Sequence, residues 1–332
     1  MLNWCIIGSG DVVNRLVKNS LNLKEASKVV AILSDDLKQA KKLADKIGAE
    51  KVFLNTKTNI RKIQYNDKIN SIYIATPPNS HLSFINHFCK FKKNIVCEKP
   101  LVKSSKELKK LKKLIKKYKF NLLTCFYRRY LDRFLYIKKL LNKKIIGKIV
   151  YFNIRYFHNE KNHPTANIKS KKIPWRFKKK ISGGGNIMDM GIHSIDLVSF
   201  LMGEIKNVYG LNHNNKKIYD VEDSTIINLK LNNGILGQGS WCSVAPEKQD
   251  FFEIFGLNGS LKFSSNFGED EYLYIYKNSK LKKIKLPYNV PLHKNMMRKF
   301  INILRKNNRM NKYSTLENGL KTIEIMSKII KI

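Results

Sequence analysis

The chain has 332 residues, of which 43% are hydrophobic and 11% aromatic, and its formal net charge is +39. This length predicts two domains, and the apolar content excludes an intrinsically disordered chain. No apolar run reaches the roughly 18 to 20 residues of a membrane span, and no secretory signal pattern opens the chain, so we expect a cytoplasmic protein.

The first third of the chain alternates strand and helix patterns. Apolar runs bounded by turn residues predict strands at 4–10, 28–34, 71–76, 94–100 and 120–127. Helices are predicted between them at 12–21, 37–48, 81–91 and 106–119. Strands separated by helices of this length indicate a parallel sheet covered on both faces, which is typical of the α/β class.

Most of the basic excess is lysine on predicted solvent faces. In helix 106–119 the lysines surround an apolar stripe of Leu108, Leu111, Leu114 and Ile115. Specific recognition of phosphates and bases favours the forked guanidinium of arginine instead. We therefore interpret the charge as a basic surface and expect no specific nucleic-acid partner, although non-specific polyanion binding is expected at low salt.

The five cysteines lack CxxC spacing, which indicates reduced thiols.

The pattern changes after residue 127. A helix at 132–142 and a long aromatic strand at 147–158 precede a glycine-rich segment and a series of β-rich runs. Turn signals separate these runs, which predicts antiparallel hairpins. The signals are Asn233-Gly234, Asn258-Gly259 and Asn278-Ser279, and helices are predicted after them at 293–306 and 315–330.

Gly8, Ser9 and Gly10 follow the first strand and open a helix, where backbone N–H groups can hold a pyrophosphate. The full dinucleotide-binding fingerprint has a small residue three places later, whereas this chain has Val13. The motif is therefore imperfect, and the alternating strands and helices around it strengthen the prediction.

Ser34, Asp35 and Asp36 end the second predicted strand. A carboxylate at this place can accept hydrogen bonds from the adenosine ribose and would repel a 2′-phosphate. This favours NAD over NADP as the cofactor. The alternative is that Asp35 or Asp36 only caps the following helix.

The segment GGGNIMDMGIHSIDL (183–197) places three glycines ahead of Asp189, His193 and Asp196. Spacings of four and three put these side chains along one face of a helix. Such a stripe fits a metal site, an acid–base pair or a structural hydrogen-bond chain. We expect no metal site, because no further His or Cys cluster completes a ligand set. We interpret the glycines as positions where the backbone closely approaches a bound substrate and nicotinamide.

Five motifs lie along the chain in a fixed order: IIGSGDV (6–12), ATPPNSH (75–81), CEKP (97–100), FYRRY (126–130) and GGGNIMDMGIHSIDL (183–197). Together they resemble the glucose-fructose oxidoreductase / inositol dehydrogenase / rhizopine-catabolism family of NAD(P)-dependent oxidoreductases. The resemblance implies a Rossmann domain with a doubly wound parallel sheet at residues 1–125. It also implies a substrate-binding and oligomerisation α+β domain at 126–332, with a large open, mostly antiparallel sheet that forms homodimers or homotetramers.

The resemblance further implies the residues of the site. Cofactor binding is expected at Gly8, Ser9, Gly10, Asp11, Val12, Ser34, Asp35, Thr76, Pro77, Asn79, His81, Glu98, Lys99 and Arg128. The expected catalytic residues are Lys99, Asp189 and His193, and these three with Trp175 and Arg176 are expected to contact the substrate. An imidazole titrates near neutrality, so we expect His193 to be the main proton-transfer group. Asp189 would orient it or hold a substrate hydroxyl, and Lys99 would polarise a carbonyl or exchange a proton.

We therefore expect an NAD-dependent dehydrogenase or reductase that acts on the CH–OH group of a sugar, cyclitol or similar polyhydroxylated compound. A second hypothesis is a redox-neutral, NAD-dependent glycoside cleavage, which needs the same residues. A third is a non-catalytic sensor that binds the dinucleotide or a sugar. Lys99, Asp189 and His193 argue against a sensor, because such a protein needs no acid–base group.

Overall fold

The computed structural model describes residues 1–14, 20–23, 25–159, 173–265, 271–287, 290–305 and 315–330. The chain forms two compact units. The first unit contains residues 1–131 and 289–323, and the second contains residues 132–288 and 324–332. A late segment of the chain therefore belongs to the first unit.

The first unit is built on a six-stranded sheet. Its strands are β1 (Leu2–Ile7), β2 (Ser27–Ser34), β3 (Lys51–Leu54), β4 (Ser71–Ile74), β5 (Asn94–Cys97) and β6 (Leu122–Thr124). The order is β3-β2-β1-β4-β5-β6, and every neighbouring pair is parallel. This is the doubly wound Rossmann order, in which ligands bind beyond the carboxyl ends of the strands where the order reverses, next to β1 and β4. The predicted parallel sheet is confirmed.

Four helices accompany these strands: α1 (Leu37–Ile47), α2 (Lys57–Gln64), α3 (His81–Phe88) and α4 (Ser105–Tyr118). The ends of α1 follow from its local sequence, because the side chain of Asp36 accepts a hydrogen bond from the backbone N–H of Gln39 and Gly48 ends the helix with φ 72°. The sequence pattern did not predict β3 or α2. Strand β3 is a four-residue edge strand with no fully buried residue, so it has little hydrophobic signal. Residues 15–19 of the helix predicted at 12–21 lie outside the described residues.

The second unit contains an eight-stranded sheet. Its strands are β7 (Ile149–Asn159), β8 (Ile205–His213), β9 (Ser224–Leu231), β10 (Leu236–Cys242), β11 (Val244–Gly256), β12 (Gly259–Phe263), β13 (Tyr272–Lys277) and β14 (Lys280–Lys285). The order is β14-β13-β12-β11-β7-β10-β9-β8, and only the β7–β10 pair is parallel. The mostly antiparallel sheet and the three predicted hairpins are confirmed.

The remaining helices are α5 (Asp132–Asn142), α6 (Lys179–Ser182), α7 (Ile192–Met202), α8 (Lys294–Arg305) and α9 (Thr315–Ile330). One face of the large sheet is buried and contains Phe152 and Trp241. A Cβ on Gly237 or Gly239 would lie within 2.4 Å of one of these rings, so the two glycines make room for them. No helix in the described part of the chain is long and apolar enough to cross a membrane.

Candidate active site

The turn after β1 leaves open space beside its second glycine. Gly8 has φ +100°, and a Cβ on it would lie 2.7 Å from the carbonyl oxygen of Ala75, so only glycine fits between the ends of β1 and β4. At Gly10, no atom of the described residues, apart from the glycine and its two chain neighbours, lies within 4 Å of the place that a Cβ would take. Residues 11–14 then begin a helical turn, in which the Val13 N–H donates to the Gly10 carbonyl at 3.1 Å. The open space and the helical turn suit a phosphate group.

The sequence departs from the dinucleotide fingerprint at Val13, and this side chain is fully buried. Valine therefore fills the core position that a small residue takes in the fingerprint. Its neighbours Asp11 and Val12, which are exposed and half-buried, lie beside the same turn. Their contact with a cofactor stays a prediction.

The end of β2 separates the roles of two acidic residues. The carboxylate of Asp36 accepts from the Gln39 backbone N–H at 2.8 Å and caps α1. Asp35 is exposed and accepts a hydrogen bond from the Asn55 amide at 3.0 Å. The hydroxyls of Ser9 and Ser34 lie 2.8 Å apart, which joins the ends of β1 and β2. Asp36 is thus occupied as a helix cap, and Asp35 is the carboxylate available to a ribose.

The motif at 75–81 is held by its buried histidine. One ring nitrogen of His81 lies 2.8 Å from the carbonyl oxygen of Thr76, and the other lies 2.8 Å from that of Pro100. Burial lowers the pKa of His81, although both carbonyls oppose this shift. His81 therefore joins the loop after β4 to the loop after β5. Pro77 is half-buried and Asn79 is exposed in this motif, and their cofactor contacts stay predictions.

Glu98 forms a buried network next to Lys99. Its Oε1 accepts a hydrogen bond from the Tyr73 hydroxyl at 2.7 Å and lies 3.1 Å from Nε2 of His293, while Oε2 accepts from the Lys99 backbone N–H at 3.3 Å. Burial alone would raise the pKa of Glu98, but His293, Tyr73 and Lys99 hold it below its usual range. An ionised carboxylate thus fixes the backbone of the half-buried Lys99.

The same network contains the one group of possible metal ligands found among the described residues: Glu98, Cys125 and His293. The Tyr73 hydroxyl already donates to Glu98, and the Cys125 thiol donates to Tyr73 at 3.5 Å. Burial raises the pKa of Cys125 well above its usual range, whereas a metal requires the thiolate. We interpret the group as a hydrogen-bonded core.

The predicted cofactor residue Arg128 is only 1% exposed. It follows Tyr127, whose ring centroid lies 4.7 Å from that of His293. Its contact with a cofactor stays a prediction.

In the second unit, two of the three glycines closely approach other parts of the protein. Gly183 ends α6 with φ +87°. A Cβ on Gly184 would lie 2.8 Å from the side chain of Ile330, and a Cβ on Gly185 would overlap the carbonyl oxygen of Glu222. Within the described residues these close contacts are with Glu222 and Ile330. The expectation that the glycines make room for a substrate stays a prediction.

A π-helical turn at Ile187–Gly191 leads from the glycines into α7 and contains Asp189. The carboxylate of Asp189 lies 3.2 Å from Nε of Arg176, and the Arg176 guanidinium stacks 4.3 Å from the ring centroid of Trp175. Such turns frequently occur at functional sites and span about four to five residues. His193, which follows in α7 and is 3% exposed, is thus about one turn beyond Asp189. Trp175, Arg176 and Asp189 are brought together. Asp196 is 1% exposed and belongs to the core.

Three polar residues beside this turn were not predicted. Glu222 is buried, and its Oε1 accepts a hydrogen bond from the Gly185 N–H at 2.6 Å; burial raises its pKa to about 7. Asn186 begins the turn, and its Oδ1 lies 3.3 Å from Nε2 of His158 at the end of β7. Asn186 lies within the motif at 183–197, but a local motif could not reveal these pairings, because they join positions 28 and 37 residues apart.

Two family models match the chain. Residues 2–125 match an oxidoreductase family with an NAD-binding Rossmann fold, and residues 134–262 match the GFO/IDH/MocA C-terminal domain. An oxidoreductase of Formosa agariphila is 31% identical over 265 residues, which cover 79% of each chain. A scyllo-inositol 2-dehydrogenase (NADP(+)) of Bacillus subtilis is 23% identical over 100% of this chain and 97% of its own length.

Solved structures share the fold. A levoglucosan dehydrogenase in complex with NADH and L-sorbose superposes with a TM-score of 0.83 at 21% identity, covering 100% of this chain and 96% of that chain. An aldose-aldose oxidoreductase of Caulobacter crescentus, complexed with glycerol, has a TM-score of 0.84 at 17% identity and covers 99% and 96%. The two matched models, the relative at 31% identity and the two sheets together show that the chain belongs to the GFO/IDH/MocA family of NAD-binding oxidoreductases.

Proposed function

We propose that the protein is an NAD-dependent dehydrogenase that transfers a hydride between nicotinamide and a hydroxyl or carbonyl carbon of a sugar, cyclitol or similar compound. The observation that carries the substrate class is the Trp175–Arg176–Asp189 cluster beside His193. It offers a flat apolar ring, a guanidinium donor and a carboxylate acceptor, which together suit the faces and hydroxyls of a polyol. The names of the levoglucosan and scyllo-inositol dehydrogenases support the same class.

The residues present fit NAD. Gly10 leaves open space at the turn after β1, and exposed Asp35 at the end of β2 can accept from the ribose hydroxyls. The negative charge of Asp35 would repel a 2′-phosphate, so we propose NAD in preference to the NADP named for the scyllo-inositol relative. When bound, NAD supplies the acceptor for the hydride. The remaining predicted contacts, from Ser9 to Arg128, are proposed to bind and orient it.

We assign the proton transfer to His193. In the oxidative direction its imidazole takes the hydroxyl proton, and in the reverse direction it returns a proton to the alkoxide oxygen. Asp189, held by Arg176, orients the imidazole or accepts from a substrate hydroxyl. Lys99, whose backbone is fixed by Glu98, polarises the carbonyl. The alternative assignment exchanges the roles, with Lys99 as the acid–base group and His193 positioning the substrate.

The test is a turnover assay on a panel of polyols. The panel contains levoglucosan, scyllo-inositol and L-sorbose, each offered with NAD, NADP and their reduced forms, and both the absorbance of the cofactor and the sugar products are measured. Turnover with NAD on a member of the panel supports the proposal. Binding of NADH without turnover of any substrate would favour the sensor hypothesis. A changed sugar without net reduction of NAD would favour redox-neutral cleavage of a glycoside.

We also propose that the protein forms homo-oligomers through the large sheet. The outer face of β8, β9 and β10 exposes Tyr209, Leu211, Ile226 and Leu236, each at least half exposed, and such an apolar patch on a β-sheet suits a second copy of the same face. Light scattering should give a dimer or tetramer for the wild type and a smaller species for Leu211→Lys.

We also propose a cytoplasmic location. The described cysteines are all free thiols, which supports it.

A further inference from the structure

Glu222 lies in the loop between β8 and β9, which is fastened to the segment ahead of the three glycines. In this loop, the ring of Tyr219 stacks on that of Phe177, with 5.1 Å between the ring centroids. The carboxylate of Asp220 accepts a hydrogen bond from the Lys179 N–H at 2.7 Å, where α6 begins. These two contacts hold the loop in place without the side chain of Glu222.

The neighbouring Asp223 holds the loop together from within. Its carboxylate accepts hydrogen bonds from the backbone N–H groups of Asn215 and Lys216, each at 3.0 Å. Burial would raise the pKa of Asp223, but these N–H groups hold it below its usual range. The pKa of Glu222 is raised instead, so the two adjacent carboxyls ionise in different pH ranges.

The carboxyl of Glu222 is covered by two of the glycines. Its Oε1 accepts a hydrogen bond from the Gly185 N–H at 2.6 Å. A Cβ on Gly184 would lie 3.3 Å from the same oxygen, and a Cβ on Gly185 would overlap the Glu222 carbonyl oxygen. Only backbone without a side chain can approach the carboxyl this closely, and the residue is 9% exposed as a result.

Gly185 in turn holds the π-helical turn at Ile187–Gly191, which we call the catalytic turn. The Gly185 carbonyl accepts a hydrogen bond from the backbone N–H of Asp189 at 3.0 Å. The Asp189 carboxylate lies 3.2 Å from Nε of Arg176. A continuous set of contacts therefore joins the carboxyl of Glu222 to the Asp189 carboxylate through one glycine.

We propose that Glu222 is a positioning residue for Asp189: its protonated carboxyl holds Gly185 in place, and loss of the proton loosens the catalytic turn and lowers turnover. This inference rests on the proposed function. A buried carboxylate favours any conformation in which water reaches it, and Gly184 and Gly185 are the residues that keep water away. Ionisation therefore acts on the segment that positions Asp189.

The surroundings of Glu222 set the direction of this effect. Burial raises its pKa to about 7, Lys179 on α6 opposes the shift, and Asp223 in the same loop adds to it. The turn contributes Asp189, which is paired with Arg176, and α9 contributes an apolar side chain beside Gly184. Because the folded pKa lies above the ordinary 4.5, the neutral form favours the closed turn, and the turn loosens as pH rises through about 7.

The test compares two substitutions in the polyol turnover assay at about pH 6 and about pH 8. Glu222→Met keeps an unbranched side chain but has no oxygen to accept from Gly185, so kcat/KM should fall roughly tenfold at the lower pH. Glu222→Gln keeps the acceptor and should recover most of this loss. A purely structural need to fill the space would not distinguish the two variants in this way.

The pH dependence gives the second readout. With a pKa of about 7, roughly nine tenths of the wild-type carboxyl is protonated at pH 6 and roughly one tenth at pH 8. The kcat/KM of Glu222→Gln divided by that of the wild type should therefore rise roughly tenfold between these pH values. Titration of His193 cancels in the ratio, because both proteins contain it. Glu247→Gln, at an exposed position, is the matched control, and its ratio to the wild type should not depend on pH.

Two outcomes overturn the proposal. One is a ratio for Glu222→Gln that is the same at both pH values, and the other is wild-type kcat/KM in a folded Glu222→Met. If Glu222→Met does not fold, the pH dependence of Glu222→Gln decides alone.

The failure of the proposed function can be told apart from the failure of this inference. If the wild type turns over no member of the panel, the proposed function fails, and amide hydrogen exchange of the peptide containing Gly185 and Asp189 is then measured by mass spectrometry. Faster exchange in the wild type than in Glu222→Gln at pH 8, with equal exchange at pH 6, supports the role of Glu222. Equal exchange at both pH values overturns it.

Discussion

The buried carboxyl of Glu222 should make the stability of the protein depend on pH. Its Oε1 accepts from the Gly185 N–H, and the residue is only 9% exposed. Burial raises its pKa from 4.5 to about 7, although the Gly185 N–H and Lys179 oppose the shift. Glu222→Gln keeps an oxygen that can accept the hydrogen bond and removes the ionisation. The variant therefore isolates the cost of the buried charge.

The sign and size of the effect follow from these values. Because the pKa is higher in the folded state, the folded protein holds a proton that the unfolded chain releases, so stability falls as pH rises from about 4.5 to about 7. At about 1.4 kcal/mol per pH unit, the total loss is roughly 3 kcal/mol, most of it between about pH 5 and pH 8. Glu222→Gln should therefore gain roughly 2 to 3 kcal/mol relative to the wild type over this interval.

The measurement is urea-induced unfolding of both proteins at about pH 5 and about pH 8, followed by circular dichroism. The comparison uses the change in the difference between variant and wild type, since the effects of other titrating groups cancel in it. Glu247→Gln, at an exposed position, controls for the removal of one carboxylate from the chain. The reasoning is refuted if the difference for Glu222→Gln is the same at both pH values or changes no more than that of the control.

Four further predictions concern the cofactor and the chemistry. His193→Ala should lower kcat in the polyol turnover assay by roughly 10²- to 10⁴-fold, because the residue is predicted to transfer a proton. Its NADH affinity, measured by fluorescence, should change little, because the residue is not predicted to bind the cofactor. Lys99→Ala should lower kcat and also raise KM in the same turnover assay. Asp35→Ser should reduce the preference for NADH over NADPH by roughly tenfold in paired titrations, because the repulsive charge is removed. Gly10→Ala should leave the melting temperature unchanged, since no described residue beyond its chain neighbours comes within 4 Å of the new Cβ. It should weaken NADH binding by roughly tenfold if that space holds the cofactor.

Each of these has a contradicting outcome. Near-normal activity of His193→Ala together with an inactive Lys99→Ala would exchange the two roles. An unchanged cofactor preference in Asp35→Ser would remove Asp35 from the ribose site. Full NADH affinity in a folded Gly10→Ala would show that the cofactor does not occupy the space beside this residue.

The sequence by itself determined the elements whose information is local. Alternating apolar runs and amphipathic segments predicted five of the six strands of the parallel sheet, because burial on both faces requires continuous hydrophobic strands. Asn-Gly and Asn-Ser pairs predicted three hairpins, because those residues tolerate positive φ. The ordered motifs identified the family, since each is a contiguous run of residues.

Only the tertiary structure decided which contacts these residues make. The sequence placed Asp35 in the cofactor site and left open which of Asp35 and Asp36 caps the next helix, and hydrogen bonds assigned the cap to Asp36. The three glycines suggested an approach to a ligand, whereas the fold packs Gly185 against Glu222 from another part of the chain. Residues 289–323 belong to the first unit without any local signal, because a return of the chain leaves no trace in periodicity.

The raised pKa of Glu222 and the buried hydrogen bond between Asn186 and His158 have the same origin. A carboxyl or an amide has ordinary properties in a local segment, where water solvates it. Its properties change when distant segments exclude that water and supply too few or too many partners. The hydrogen bonds that define these two side chains join positions 28 and 37 residues apart, so only the folded chain reveals them.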